Sequence, residues 1–332
     1  MRKQLPIADC RLPIEGGRAR HSVRAVGGQG TARPAGSIVN RKSQIVNGFT
    51  LVEVLVVMVL LSLIVLALMA VFSATQSAFR SSVTQSSIME SGRATMDLMT
   101  ADLRAMAPSL GQSNSVTIGA ANFYANTNIN EKPLIQPMVG GSSSRTNVLE
   151  NFFILSRGNQ NGVATWYGVG YAVATNAPDG SLYSLYRFAS SHPAAAVDPA
   201  FLFNEFRTNF LLAITNGSHL MDGVASLTVR AYDVNGGQMT NNIIFTGGEN
   251  VTNKNVFYFP PALGQVGFEM FSNTLPASVE VEMGVLEDRA LQRAESIPNP
   301  AIQANYLSAA AGNVHVFRQR VSIANVDPAA YQ

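Results

Sequence analysis

The chain has a single cysteine in 332 residues, Cys10, so no intrachain disulfide and no zinc site built from several cysteines can form. Charge is scarce as well. Asp, Glu, Lys and Arg make up 13% of the residues against 47% apolar types, so only a few charged positions can carry specific roles. Four histidines, His21, His192, His219 and His315, are scattered, and no H-E-x-x-H pair, G-x-S-x-G elbow or P-loop is present. Catalysis is therefore not expected, and no metal or cofactor has a visible donor set. Proline is missing from residues 49–107, which leaves that stretch free to form one long helix.

What is there is concentrated near the front. Residues 54–72 are almost uniformly apolar, and a bilayer-spanning helix needs about 20 such residues. The run exceeds the usual core of a secretory signal peptide, and no A-x-A-like site stands just beyond Phe72. A carboxylate, Glu53, sits within the apolar register, although an acid at the centre of a spanning helix costs roughly 2.5–3.5 kcal/mol. Upstream, residues 1–48 carry nine Lys/Arg, including Arg41 and Lys42, against Asp9 and Glu15, a balance of +7. The remainder carries fourteen against nineteen, a balance of −5. By the positive-inside rule the basic flank stays cytoplasmic and residues beyond about 73 face outward. The positive charge is an orientation signal, and no nucleic-acid partner is expected.

The six residues Gly48-Phe49-Thr50-Leu51-Val52-Glu53, with the apolar run behind them, resemble the processing site of type IV prepilins and type II secretion pseudopilins. The resemblance implies cleavage after Gly48 by a prepilin peptidase, methylation of the new N-terminal Phe49, and guidance of filament assembly by Glu53. Cleavage would remove residues 1–48 as a basic leader, Cys10 included. Glycine suits a protease that must fit the backbone closely. A freed amine on Phe49 would lie about one helical turn from the Glu53 carboxylate, on its own or a neighbouring subunit, where a low dielectric strengthens the pairing. The bland reading of Glu53 is a chance acid snorkelling to the interface. Thr50 and Ser62 are expected to satisfy their hydroxyls on helix carbonyls.

Past Phe72 a helical spacing persists through Phe79, Val83, Met89, Met96, Met99, Leu103 and Met106, until Pro108 and Gly111 supply a stop. One helix over 49–107 would be about 88 Å long at 1.5 Å per residue. Its half 49–72 would lie in the membrane or a filament core, and its amphipathic half 73–107 on a globular domain of residues 108–332. Gly92 is its weak point, costing about 1 kcal/mol relative to alanine. Beyond Pro108, strands are expected over 152–156, 165–174, 181–188, 226–232, 256–259, 264–271, 278–286 and 314–323. Turns are expected at 178–180 and 235–237, helices at 288–296 and 301–310, and a long loop with one short hairpin over 108–150. The fold class is therefore α+β, a long N-terminal helix packed on an antiparallel sheet.

Further segments are similar to J-type minor pseudopilins and W-type minor pilins. They are Met96-Asp97-Leu98 through Asp102-Leu103-Arg104, a hairpin ending Leu185-Tyr186-Arg187, Met221-Asp222-Gly223-Val224 before the strand to Asp233, and Leu275-Pro276 before Val279. Residues 288–332 depart from that pattern. The resemblance implies a minor pilin or pseudopilin near a filament tip. Its implied partners are the peptidase, the inner membrane, other minor pilins or pseudopilins and a major pilin. Its domain would lie in the periplasm or at the cell surface. The alternatives are a tip adhesin binding a surface, glycan or cargo through Trp166, Tyr167, Tyr171, Tyr183 and Tyr186, and a signal-anchored enzyme. Asp102 and Arg104 read as solvated or capping charges, Glu280 and Glu282 as a solvated sheet face, and Asp233-Val234-Asn235-Gly236 as a turn that only partly matches a calcium loop.

Overall fold

The computed structural model describes residues 50–109, 120–138, 143–176, 181–195, 198–214, 217–241, 243–246, 249–252 and 255–327. The expected turn at 178–180 and Gly111 lie outside them. The chain divides into two compact units after Ile64. Helix α1 (Leu51–Arg104) runs 54 residues, slightly shorter than expected at both ends. It stops because Met106 leaves the helix to form a β-bridge with Ser156, two residues before Pro108.

The unit from Val65 onward is built on antiparallel sheets. Strands β1 (Phe123–Thr127), β2 (Leu134–Pro137), β3 (Ser144–Asn147), β4 (Glu150–Gln160), β5 (Val163–Asn176) and β6 (Leu182–Pro193) come first. A helical segment follows, α2 (Ala200–Glu205), a π turn over Phe206–Phe210, and α3 (Leu211–Ala213). Then come β7 (Gly217–Met221), β8 (Val224–Tyr232), β9 (Ile243–Thr246), β10 (Glu249–Thr252), β11 (Val256–Tyr258), β12 (Phe268–Met270) and β13 (Ser278–Leu286). Helices α4 (Asp288–Glu295) and α5 (Pro300–Ala309) precede β14 (Val314–Ser322). The main sheet has the order β11-β12-β1-β4-β5-β6-β7, a second has β14-β13-β8, and β2-β3 and β10-β9 are separate hairpins. The protein is thus α+β, as the sequence pattern implies.

Two cores explain the main sheet. On one face Met96, Met99 and Leu103 of α1 meet Phe123, Phe152, Ile154 and Tyr171. On the other, Leu202, Phe203, Phe206 and Phe210 meet Tyr124, Phe153, Leu155, Trp166 and Phe188. A strand covered on both sides reads as an unbroken apolar run, and 152–155 of β4 is Phe-Phe-Ile-Leu. The aromatic segment of 200–213 was not foreseen. It approaches closely because β5 carries glycine at 170, where a Cβ would lie 2.2 Å from the Phe206 ring.

Several expectations need correction. The α1 stripe is buried only from Ile88 onward; Phe79 and Val83 are 72% and 57% exposed. The stretch 264–271 is a strand only at its end, since Leu263 and Gly264 adopt positive φ in a turn closed by the Ala262–Gln265 bridge. The stretch 108–150 contains β1 as well as a hairpin. Gly92 is a packing position, lying beneath the ring of Phe317.

Candidate functional site

Helix α1 begins with a reciprocal cap. Thr50 precedes Leu51, and its hydroxyl accepts from the Glu53 amide at 3.3 Å. The Glu53 carboxylate oxygen Oε2 accepts from the Thr50 amide and hydroxyl, both at 3.1 Å. This is the capping box formed by T-x-x-E at the first turn, which satisfies amides that the helix cannot pair internally. Thr50 therefore caps the helix and does not bond a helix carbonyl, a result the T-x-x-E spacing itself announces. Ser62 does behave as expected, donating to Val59 O at 2.8 Å.

The carboxylate favours the positive end of the helix dipole, so Glu53 stabilises the helix start as well as carrying charge. Every large apolar side chain from Leu51 to Phe72 is exposed, and 18 residues of this helix reach a mean hydropathy of 3.3. Such a surface calls for lipid or apolar partner helices, and α1 is long and apolar enough to cross a membrane. Gly48 and Phe49, the expected cleavage and methylation positions, lie outside the described residues, directly before Thr50 in the sequence.

Of the residues read as solvated, Arg104 stays exposed, whereas Asp102, Glu280 and Glu282 turn out to be structural. Asp102, in the last turn of α1, takes a bidentate ion pair from Arg187 of β6, Nε at 2.9 Å and Nη2 at 3.0 Å, and also accepts from the Tyr171 hydroxyl. Burial and the neighbouring Asp102 charge push the Tyr171 phenol upward. Glu280 is buried beneath Arg318 at 2.8 Å and Arg230 at 3.0 Å, and hydrogen bonds to these two arginines hold its carboxyl below the usual range. Glu282 is also drawn in, 3.4 Å from Arg230.

The remaining candidates are structural too. Trp166, Tyr171, Tyr183 and Tyr186 are buried and Tyr167 is half-buried, so they form no exposed stacking platform. Asp233 accepts from the amides of Asn235 and Gly237, a turn as expected. The described histidines stay apart: His192 packs on Phe201, His219 bonds Asp222 at 2.7 Å, and His315 lies 3.5 Å from Glu287. Among the described residues no group of three or more His, Cys, Asp or Glu is placed to hold a metal.

Two buried carboxylates were not singled out from sequence. Glu150 accepts from the Val229 amide, and burial lifts its pKa to about 7. Burial also lifts Glu269 to about 7, against the opposing charge of Arg207.

Residues 45–73 match the family model described as the prokaryotic N-terminal methylation motif. The match supports the type IV prepilin and pseudopilin superfamily, a class of structural, membrane-anchored subunits, and it brackets Gly48, Phe49, Thr50 and Glu53. No curated protein and no solved structure matches the chain.

Proposed function

We propose that this chain is a minor pilin or pseudopilin, nearest the J-type pseudopilins and W-type pilins, that enters a filament at or near its tip. The basic leader 1–48 stays in the cytoplasm and a prepilin peptidase cuts after Gly48. Phe49 is then methylated, helix α1 anchors the subunit in the inner membrane, and the domain beyond residue 107 stands outside it. Assembly with other minor subunits and a major pilin buries the apolar helix. Glu53 pairs with a freed Phe49 amine where lipid makes an uncompensated charge costly.

The observation carrying this reading is the methylation-motif match over residues 45–73, continuous with a helix whose apolar residues are all exposed through Phe72. The adhesin alternative loses its main support, because the aromatic residues it would use are packed inside the sheet. The test is N-terminal mass spectrometry of the protein from cells with and without a prepilin peptidase. An N-methylated Phe49 terminus that depends on the peptidase is expected. An intact Gly48–Phe49 bond in peptidase-positive cells overturns the reading.

A further inference from the structure

The two margins of the three-stranded sheet are treated differently. At β8 several backbone groups pointing away from β13 are taken. The Leu227 amide donates to Val148 O, the Val229 amide to the Glu150 carboxylate, and Ala231 O accepts from Met239. That closure uses a carboxylate with 1% exposure, an expensive group to bury.

At β14 nothing comparable occurs among the described residues. Its register with β13 is unbroken from Ser278↔Ser322 to Leu286↔Val314, without a bulge or proline. In an antiparallel pair, alternate residues turn their amide and carbonyl away from the partner strand. The β13–β8 pairing fixes which ones: Leu227 and Val229, opposite Met283 and Val281, point outward on β8, so odd residues of β13 face β14 and even residues of β14 face away. The backbone groups of Val316, Arg318 and Arg320 therefore point outward, and they have no hydrogen-bond partner among the described residues. Proteins usually cover, bulge or shorten such an edge.

The surroundings of this edge have a definite chemistry. A groove of about 230 Å³ lies beside it, lined by Arg93, Met96 and Asp97 of α1 and by Phe317, Arg318 and Gln319. By the strand's alternation the side chains of Val316, Arg318 and Arg320 leave the sheet on the opposite face and are exposed, Arg318 also bordering the groove. Arg318 shares Glu280 with Arg230. Arg320 lies 3.7 Å over the Tyr232 ring and donates to Ser278, with no carboxylate partner among the described residues.

We propose that the outer edge of β14 is a docking edge for an extended segment of a partner protein in which acidic and apolar residues alternate. The segment pairs its backbone with Val316, Arg318 and Arg320. Its acids face Arg318 and Arg320 as cross-strand ion pairs, and its apolar side chains turn toward Met96 and Phe317 at the groove. Main-chain bonds supply affinity and the alternation supplies specificity, the general logic of strand addition.

The test uses the full chain in detergent and three nine-residue peptides, alternating Glu–Val, Lys–Val and Glu–Pro. The Glu–Val peptide should bind; the Lys–Val peptide should not, and neither should Glu–Pro, which carries the same charge but cannot pair as a strand. Arg318→Glu with Arg320→Glu should weaken Glu–Val binding about tenfold or more. Val316→Pro removes an outward amide that plays no part in the β13 ladder, so it should keep the melting temperature while lowering binding. Equal binding of Glu–Pro would mean attraction by charge alone and would overturn the proposal. So would no binding of Glu–Val, or efficient disulfide pairing between copies carrying Val316→Cys in a Cys10→Ser background, which would assign the edge to a second copy of the chain.

Discussion

The ring of Phe317, on β14, fills the space where a side chain of Gly92, on α1, would begin: a Cβ there would lie 2.3 Å from the ring carbon Cζ. The helix accepts its least helix-prone residue at this point because strand and helix meet there. Gly92→Ala should gain about 1 kcal/mol of helix propensity and lose about 1–3 kcal/mol to overpacking. The expected outcome is a lower melting temperature, by a few degrees for a domain of this size. Trimming the ring by Phe317→Leu should reduce the penalty, and a double-mutant cycle measured by thermal melting checks the coupling.

Asp102 and Arg187 join the end of α1 to the main sheet through a two-pronged bond, with side chains 16% and 23% exposed. Asp102→Asn keeps the shape and removes the charge, leaving the guanidinium poorly compensated. A loss of about 1–3 kcal/mol in urea unfolding is expected, with most of it recovered when Arg187 is also replaced by an uncharged residue of similar length.

Glu150 and Glu269 make stability depend on pH. Both are raised from about 4.5 to about 7 by burial, so between those values the folded state holds protons that the unfolded state has released. Stability contributed by the neutral forms is complete below pH 4.5, falls as pH rises, and levels off above about 7. At 1.36 kcal/mol per pKa unit, each group is worth on the order of 3 kcal/mol across that window. Glu269→Gln should therefore raise the urea midpoint at pH 8 and leave it nearly unchanged at pH 4.5.

The capping box allows the two roles of Glu53 to be separated. Glu53→Gln keeps an acceptor for the Thr50 amide, as glutamine also serves in such boxes, but it abolishes the charge. Thr50→Ala does the reverse, costing about 0.5–2 kcal/mol of helix capping and sparing the carboxylate. If the charge guides assembly, Glu53→Gln protein should be cleaved and membrane-bound yet scarce in sheared filaments, whereas Thr50→Ala protein should assemble. Immunoblots of filament and membrane fractions read both.

Much of the fold was legible because its signals are local. The alternation in 314–322 marks a strand with one exposed face, and the Phe-Phe-Ile-Leu run marks one with two buried faces; the alternation in 278–286 marks a strand too, although its acid-bearing face is covered by arginines. The segment 200–213 escaped because its phenylalanines favour strands by propensity, although 202, 203, 206 and 210 are spaced as one helical face. The partners of Asp102 and Glu280 could not be read at all. Arg187 is 85 residues from Asp102 and Arg230 is 50 from Glu280, and no local pattern links them. The processing motif was legible because it is contiguous.

Glu150 acts as a stopper at one flank of the smaller sheet. With the Val229 amide already held, a strand joining this three-stranded sheet has to approach along β14, from one side only.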